Sequence, residues 1–131
     1  MIINLNKTST EDTAALQKET METMEEYLGN LIPKMEGMVQ ELRTEVLEDS
    51  WEFLRMMIDG FNWVIEGYNG CSDVINAKEK KISSDEIEPA IVSFGKAFRA
   101  QNAEDTAKIM DEAIIPFLQK LQTVLSEMKE A

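Results

Sequence analysis

Histidine, the usual general base and a common metal ligand near neutral pH, does not occur in this chain. Histidine-activated nucleophiles are therefore excluded, as are the Glu-x-x-His pairs that a di-iron carboxylate bundle needs on facing helices. What remains for chemistry is carboxylate. Glu25, Glu26, Asp59 and Glu66 are the acids that could pair or hold a hard cation, and Glu66, between Ile65 and Gly67, is the best placed for a site inside a bundle. Cys71 is the single cysteine, so neither an internal disulfide nor a cysteine zinc site can form. No basic residue within two positions would lower its pKa, and packing is its expected role. Gly60, Gly67 and Gly70 lack the strand-to-helix setting of a phosphate loop. The expectation is a protein that is not an enzyme and carries no cofactor or metal. The alternative is a small-ligand or metal-binding bundle, or an enzyme, using buried carboxylates.

Charge narrows the partners. With 25 acidic and 13 basic residues the net charge is −12, which repels phosphate backbones and anionic lipid alike. Nucleic acid and membrane surfaces are not expected partners, although an acidic antitoxin-like or nucleic-acid-mimic protein is a second alternative. No apolar run approaches the roughly 18 residues of a membrane span, and the first ten residues do not read as a signal peptide, so the expected compartment is cytoplasmic.

The elements that must position these side chains follow from apolar spacing. The 131 residues are read as one domain, with residues 1–8 a flexible arm. Ser9 or Thr10 is the expected cap of a first helix with Glu11 and Asp12 in its first turn. Met21, Met24, Leu28, Leu31, Met35, Met38 and Leu42 keep three and four spacing through Gly29 and Pro33, which predicts one helix bent at the proline with its outer face towards solvent. The turn that follows is placed near Thr44, with Asp49 or Ser50 as the other possible start of the second helix.

That second helix carries a seven-residue motif written twice, Ile58-Asp59-Gly60-Phe61-Asn62 and Ile65-Glu66-Gly67-Tyr68-Asn69. Leu47, Trp51, Leu54, Ile58, Phe61, Ile65, Tyr68 and Ile75 form its expected seam, and the helix is expected to continue past Gly70 and to organise the whole fold. Glu52, Asp59, Glu66 and Asp73 form an acidic stripe, and Gly60 and Gly67 suggest a place where another backbone comes close. Ser83 or Ser84 should cap a third helix with the stripe Ile87, Ile91, Phe94 and Phe98. Asn102 should cap a fourth, buried along Ile109, Ala113, Phe117, Leu121, Val124 and Met128, widened by Met110, Ile114, Leu118 and Leu125, and bent at Pro116.

The fold class is thus all-α: an antiparallel up-down four-helix bundle, two long bent helices followed by a shorter pair. At 1.5 Å per residue the first two helices reach roughly 45 to 50 Å and the third only about 25 Å. Part of the second helix then lacks a cover, and Trp51, Phe53, Met56, Met57, Trp63 and Val64 add apolar surface outside its seam. A second copy in a homodimer, a partner helix, or the arm and the 78–84 connection must supply that cover. Methionines, Met56 and Met57 among them, could form an adaptable binding surface, with core filling the commoner role. Trp51, Met57, Phe61 and Trp63 are the predicted partner-binding residues, taking a helical segment of a protein partner in a groove.

The run Ile91 to Phe98, then Ala100-Gln101-Asn102 with Asp105, then Ile114-Ile115 before Pro116 and Leu118, resembles small uncharacterised bacterial helical-bundle proteins. Ile58-Asp59-Gly60-Phe61 and Trp63 point to the same group, which is more distantly similar to the flagellar export chaperone class. The resemblance implies a chaperone-like accessory protein holding a helical segment of an export substrate. It carries over no binding residue.

Overall fold

The computed structural model describes residues 5–130 and the side chains of residues 13–129. It is all-α, an antiparallel four-helix bundle without strands among the described residues. The elements are α1 (Leu5–Thr44), α2 (Ser50–Ile75), α3 (Glu88–Arg99), and a last helix built from α4 (Ala103–Ile109), a π turn (Met110–Ile114) and α5 (Ile115–Glu130).

Helix α1 passes through Gly29 and Pro33 unbroken, with Pro33 exposed on the outer face. The missing hydrogen bond at the proline thus faces water rather than core. Its buried stripe is the expected one from Met24 on, Met24, Leu28, Leu31, Met35, Met38 and Leu42, widened by Ile32 and Val39, whereas Met21 is only half-buried. Each such side chain stabilises the fold by roughly 1.5–3 kcal/mol through burial. The helix already includes Leu5–Thr8, so it starts before the expected cap at Ser9 or Thr10, and the remainder of the arm lies outside the described residues.

The central element is α1 rather than α2. Helix α1 packs along α2 on one side and along α4 and α5 on the other, whereas α2 touches α5 only lightly. Both neighbours run antiparallel to it. Gln17 Nε2 donates to the Gly70 carbonyl (3.0 Å) and to Asp73 (3.1 Å), while Tyr27 packs over Gly60. On the other side Ser126 donates to Glu25 (3.4 Å), and Arg43 pairs with Asp111 (3.1 Å).

The second helix begins at Ser50, not near Thr44. Residues 45–49 turn the chain, and Ser50 holds that turn: its Oγ accepts from the Leu47 N–H (2.8 Å) and donates to Glu41 (2.6 Å). Leu47 therefore sits outside the helix and is exposed. The helix continues to Ile75 as expected. Its seam is rotated, however: Leu54, Phe61, Tyr68 and Ile75 are buried as predicted, but Val64 and Cys71 complete the line, and Trp51, Ile58 and Ile65 are only half-buried.

The connection closes the side that the short third helix leaves open. Asn76, the C-cap of α2, accepts from the N–H groups of Lys81 (2.8 Å) and Ile82 (3.1 Å) through its side-chain oxygen. Tyr68 donates its hydroxyl to the Ile82 carbonyl (2.6 Å), and Ile82 is buried. Ser83 then caps a 3₁₀ turn, Ser84–Glu86, and α3 follows with Pro89 in its first turn. Helix α3 ends in a Schellman motif: the Gln101 N–H bonds to the Phe98 carbonyl (2.9 Å) and that of Asn102 to Ala97 (3.0 Å). Gln101 takes the left-handed conformation (φ 51°) that this motif reserves for glycine.

Asn102 caps the last helix as predicted, accepting from the Asp105 N–H (3.0 Å). Ahead of Pro116 that helix widens into the π turn, and the Ile115 N–H bonds five residues back to Met110. The wider turn gives the proline ring room against the carbonyl four residues before it. Phe117, Leu121 and Val124 of the expected face are buried, as are Met110, Ile114, Leu118 and Leu125 beside it, while Ile109, Ala113 and Met128 are only half-buried.

Replacing Gln101 with glycine should relieve the left-handed strain without touching a contact. The expected result is a gain of about 1 kcal/mol in unfolding free energy at an unchanged m-value, measured by urea denaturation.

Candidate interaction groove

The carboxylates do not assemble. Glu66 is exposed on α2 rather than enclosed by the bundle, and Asp59 and Glu26 are exposed as well. Among the described residues no group of acids with Cys71 comes together as a metal site. The alternative that placed a buried carboxylate at Glu66 therefore loses its geometry. Cys71 is buried, with its thiol donating to the Gln17 carbonyl (3.6 Å). Burial, and after it the charge of Asp73, pushes that thiol above its ordinary pKa, away from reactivity.

What does assemble is apolar. On the outer side of the α1–α2 pair lies a groove of about 660 Å³. Leu31 and Met38 on α1 and Phe53, Met56 and Met57 on α2 form its walls, with Asn30, Lys34 and Glu41 along α1 as polar neighbours. Phe53 is 50% exposed and Met56 63%, fractions that large apolar side chains keep only where the fold leaves them unpartnered. Gly37 lines the groove with nothing within 4 Å of where a side chain would start, so this wall is open.

A second, shallower cleft of about 290 Å³ continues along the same helix pair, lined by Leu16, Thr20, Trp63, Gly67 and Cys71. Leu16 is 62% exposed and Trp63 39%. The ridge between the two is an edge-to-face pair, Tyr27 against Trp63 with centroids 5.6 Å apart. Phe53, Met56, Trp63 and Gly70 follow three and seven spacing, which keeps them on one line of α2.

The glycines make this line possible. A side-chain carbon at Gly60 would collide with the Tyr27 hydroxyl and lie 2.8 Å from its Cζ. One at Gly67 would meet the Met24 sulfur at 3.1 Å. The space at the repeated glycines is filled not by another backbone, as the sequence suggested, but by side chains of α1 lying over α2.

The four predicted binding residues do not share a surface. Phe61 is 1% exposed and belongs to the core, so it offers nothing to a partner; the heptad read it as part of a seam without saying which side the seam faced. Trp51 is half-buried edge-on against Phe98 (6.1 Å) on the far side of α2. Met57 and Trp63 do reach the α1–α2 line. Phe53, Tyr27 and Leu16 were missed as binding residues. Phe53 was visible only as an apolar position outside the expected seam, and Met56 as such a position and as one of several methionines that could form an adaptable surface.

A family model for a domain of unknown function, DUF8042, matches residues 19–124. The chain belongs to the DUF8042 family. That match takes in the α1–α2 groove and most of the bundle. No curated protein and no solved structure matches the chain.

Gly60→Ala should cost about 2 kcal/mol through overpacking against Tyr27. In a Tyr27→Phe background, where the nearest atom is gone, the penalty should shrink. A double-mutant cycle of denaturation midpoints measures the coupling; additive effects would mean that the ring simply moves aside.

Proposed function

We propose that this DUF8042 protein is an interaction protein that takes an amphipathic helical segment of another protein into the α1–α2 groove. The observation that carries the reading is the convergence of exposed Phe53, Met56 and Trp63 from α2 with exposed Leu16 from α1, beside Tyr27, on one line outside the buried core. A groove flanked by two parallel ridges of side chains suits a helix better than an extended strand, because no backbone edge is free to pair with one. Methionine and aromatic side chains supply the contact: Met56 and Met57 adapt their shape, and Trp63 and Phe53 are rigid anchors. This is also the mode that the likeness to export chaperones implies.

Selection of a displayed library of helical peptides against the full chain, with the Phe53→Ala, Met56→Ala double variant as counter-selection, tests the reading. Both positions are surface sites, so the variant should keep its stability within about 0.5 kcal/mol. Recovered peptides should be amphipathic and lose more than about tenfold in affinity for the variant. Peptides that bind both proteins equally would contradict the assignment of the groove.

A further inference from the structure

Two lines of acid border the groove. On α2, Glu52, Asp59, Glu66 and Asp73 recur every seven residues. Each of the first three lies four residues before a groove position, namely Met56, Trp63 and Gly70, and so sits beside it on the helix surface. On α1, Glu19 and Glu26 are likewise seven apart, Glu26 four residues before Asn30, and Glu41 closes the groove's end. All are exposed except Glu41, which is partly buried. Lys34 on the α1 wall and Arg55 on α2 offset part of this charge, but acid prevails on both borders.

We propose that the α1–α2 groove selects a cationic amphipathic helix: a segment of an unlike protein with one apolar stripe flanked on both sides by lysine or arginine. The inference rests on the helix-in-groove reading above and adds the charge of the occupant. Long basic side chains lay their methylene stems along the groove's apolar rim and reach the carboxylates with their charged ends. An acidic helix would face like charge along its whole length, a cost that discriminates more strongly than any loss of apolar contact. The same argument disfavours a second copy of this chain, whose net charge of −12 and acidic borders would be brought face to face. From Phe53 to Gly70 the line is roughly 25 Å long at 1.5 Å per residue, which asks for about 17 or 18 residues of partner helix.

The test uses three synthetic peptides of about 18 residues titrated calorimetrically into the full chain at low and at physiological salt. One carries a leucine stripe flanked by lysine, the second the same stripe flanked by glutamate, and the third the residues of the first scrambled so that no apolar face forms. The lysine-flanked helix should bind at least about tenfold tighter than either other peptide and weaken as salt rises. Lysine replacement of Glu52, Asp59 and Glu66 together, at exposed positions whose folding is checked by thermal melting, should reverse the preference towards the glutamate-flanked peptide. Equal binding of the two amphipathic peptides, lost in the Phe53→Ala, Met56→Ala variant, would overturn the charge inference and leave the groove. Equal binding of the lysine helix and its scramble would overturn it as unspecific attraction. No binding by either amphipathic peptide would remove the helix-in-groove reading itself.

Discussion

Helix α1 has to bury two faces at once, one against α2 and one against the last helix, and the side chains that let it do so are those that mesh with the α2 glycines. Tyr27 lies over Gly60, where a Cβ would collide with it, and Met24 lies over Gly67, where a Cβ would press on its sulfur at 3.1 Å. That closeness sets the rest. It turns Val64, Cys71 and Phe61 into the core and leaves the line of Phe53, Met56 and Trp63 outside it. It also brings Tyr27 up against Trp63, where the two rings form the ridge between the two clefts.

The other side of the bundle shows how thoroughly the chain covers itself where it needs to. The third helix is short, and the chain compensates with a connection fastened by Asn76 and Tyr68, with Ile82 and Ile87 driven into the core. A fold that spends a buried tyrosine hydroxyl and a cap side chain to seal one face, yet leaves half-exposed phenylalanine and methionine on another, has its open face by arrangement rather than for want of chain. In the proposed reading, the acidic borders select what that face receives.

Much of this was legible. The stripe of α1 kept its register across Pro33 because the proline falls on the solvent side, and the register predicted the unbroken helix. Asn102 was readable as a cap because its side chain is a short acceptor followed by acids; Ser83 is a cap too, but of the 3₁₀ turn ahead of α3 and not of α3 itself, whose cap position, Ile87, makes no side-chain cap. The seam of α2 was only half legible, since Trp51, Phe53, Met56, Met57, Ile58, Trp63, Val64 and Ile65 place apolar surface on nearly every side of that helix. A period alone cannot choose a phase there, and Phe61 was read as a binding residue when it is core. The π turn has no signal of its own apart from Pro116, and the left-handed Gln101 has none, because its role arises from hydrogen bonds to Phe98 and Ala97 that the whole chain end must make. Most consequentially, the repeat in α2 suggested that this helix organises the fold. Its glycines are instead the imprint of the helix that does.

The claim on which the account turns is that the α1–α2 groove stands open in the free protein and is kept for an unlike partner. The mass of the purified chain in solution, followed by light scattering over a wide concentration range, addresses it most directly. The account predicts the 14.9 kDa of one chain throughout. A stable dimer that Met56→Glu dissociates would contradict it, because the groove would then be filled by a second copy.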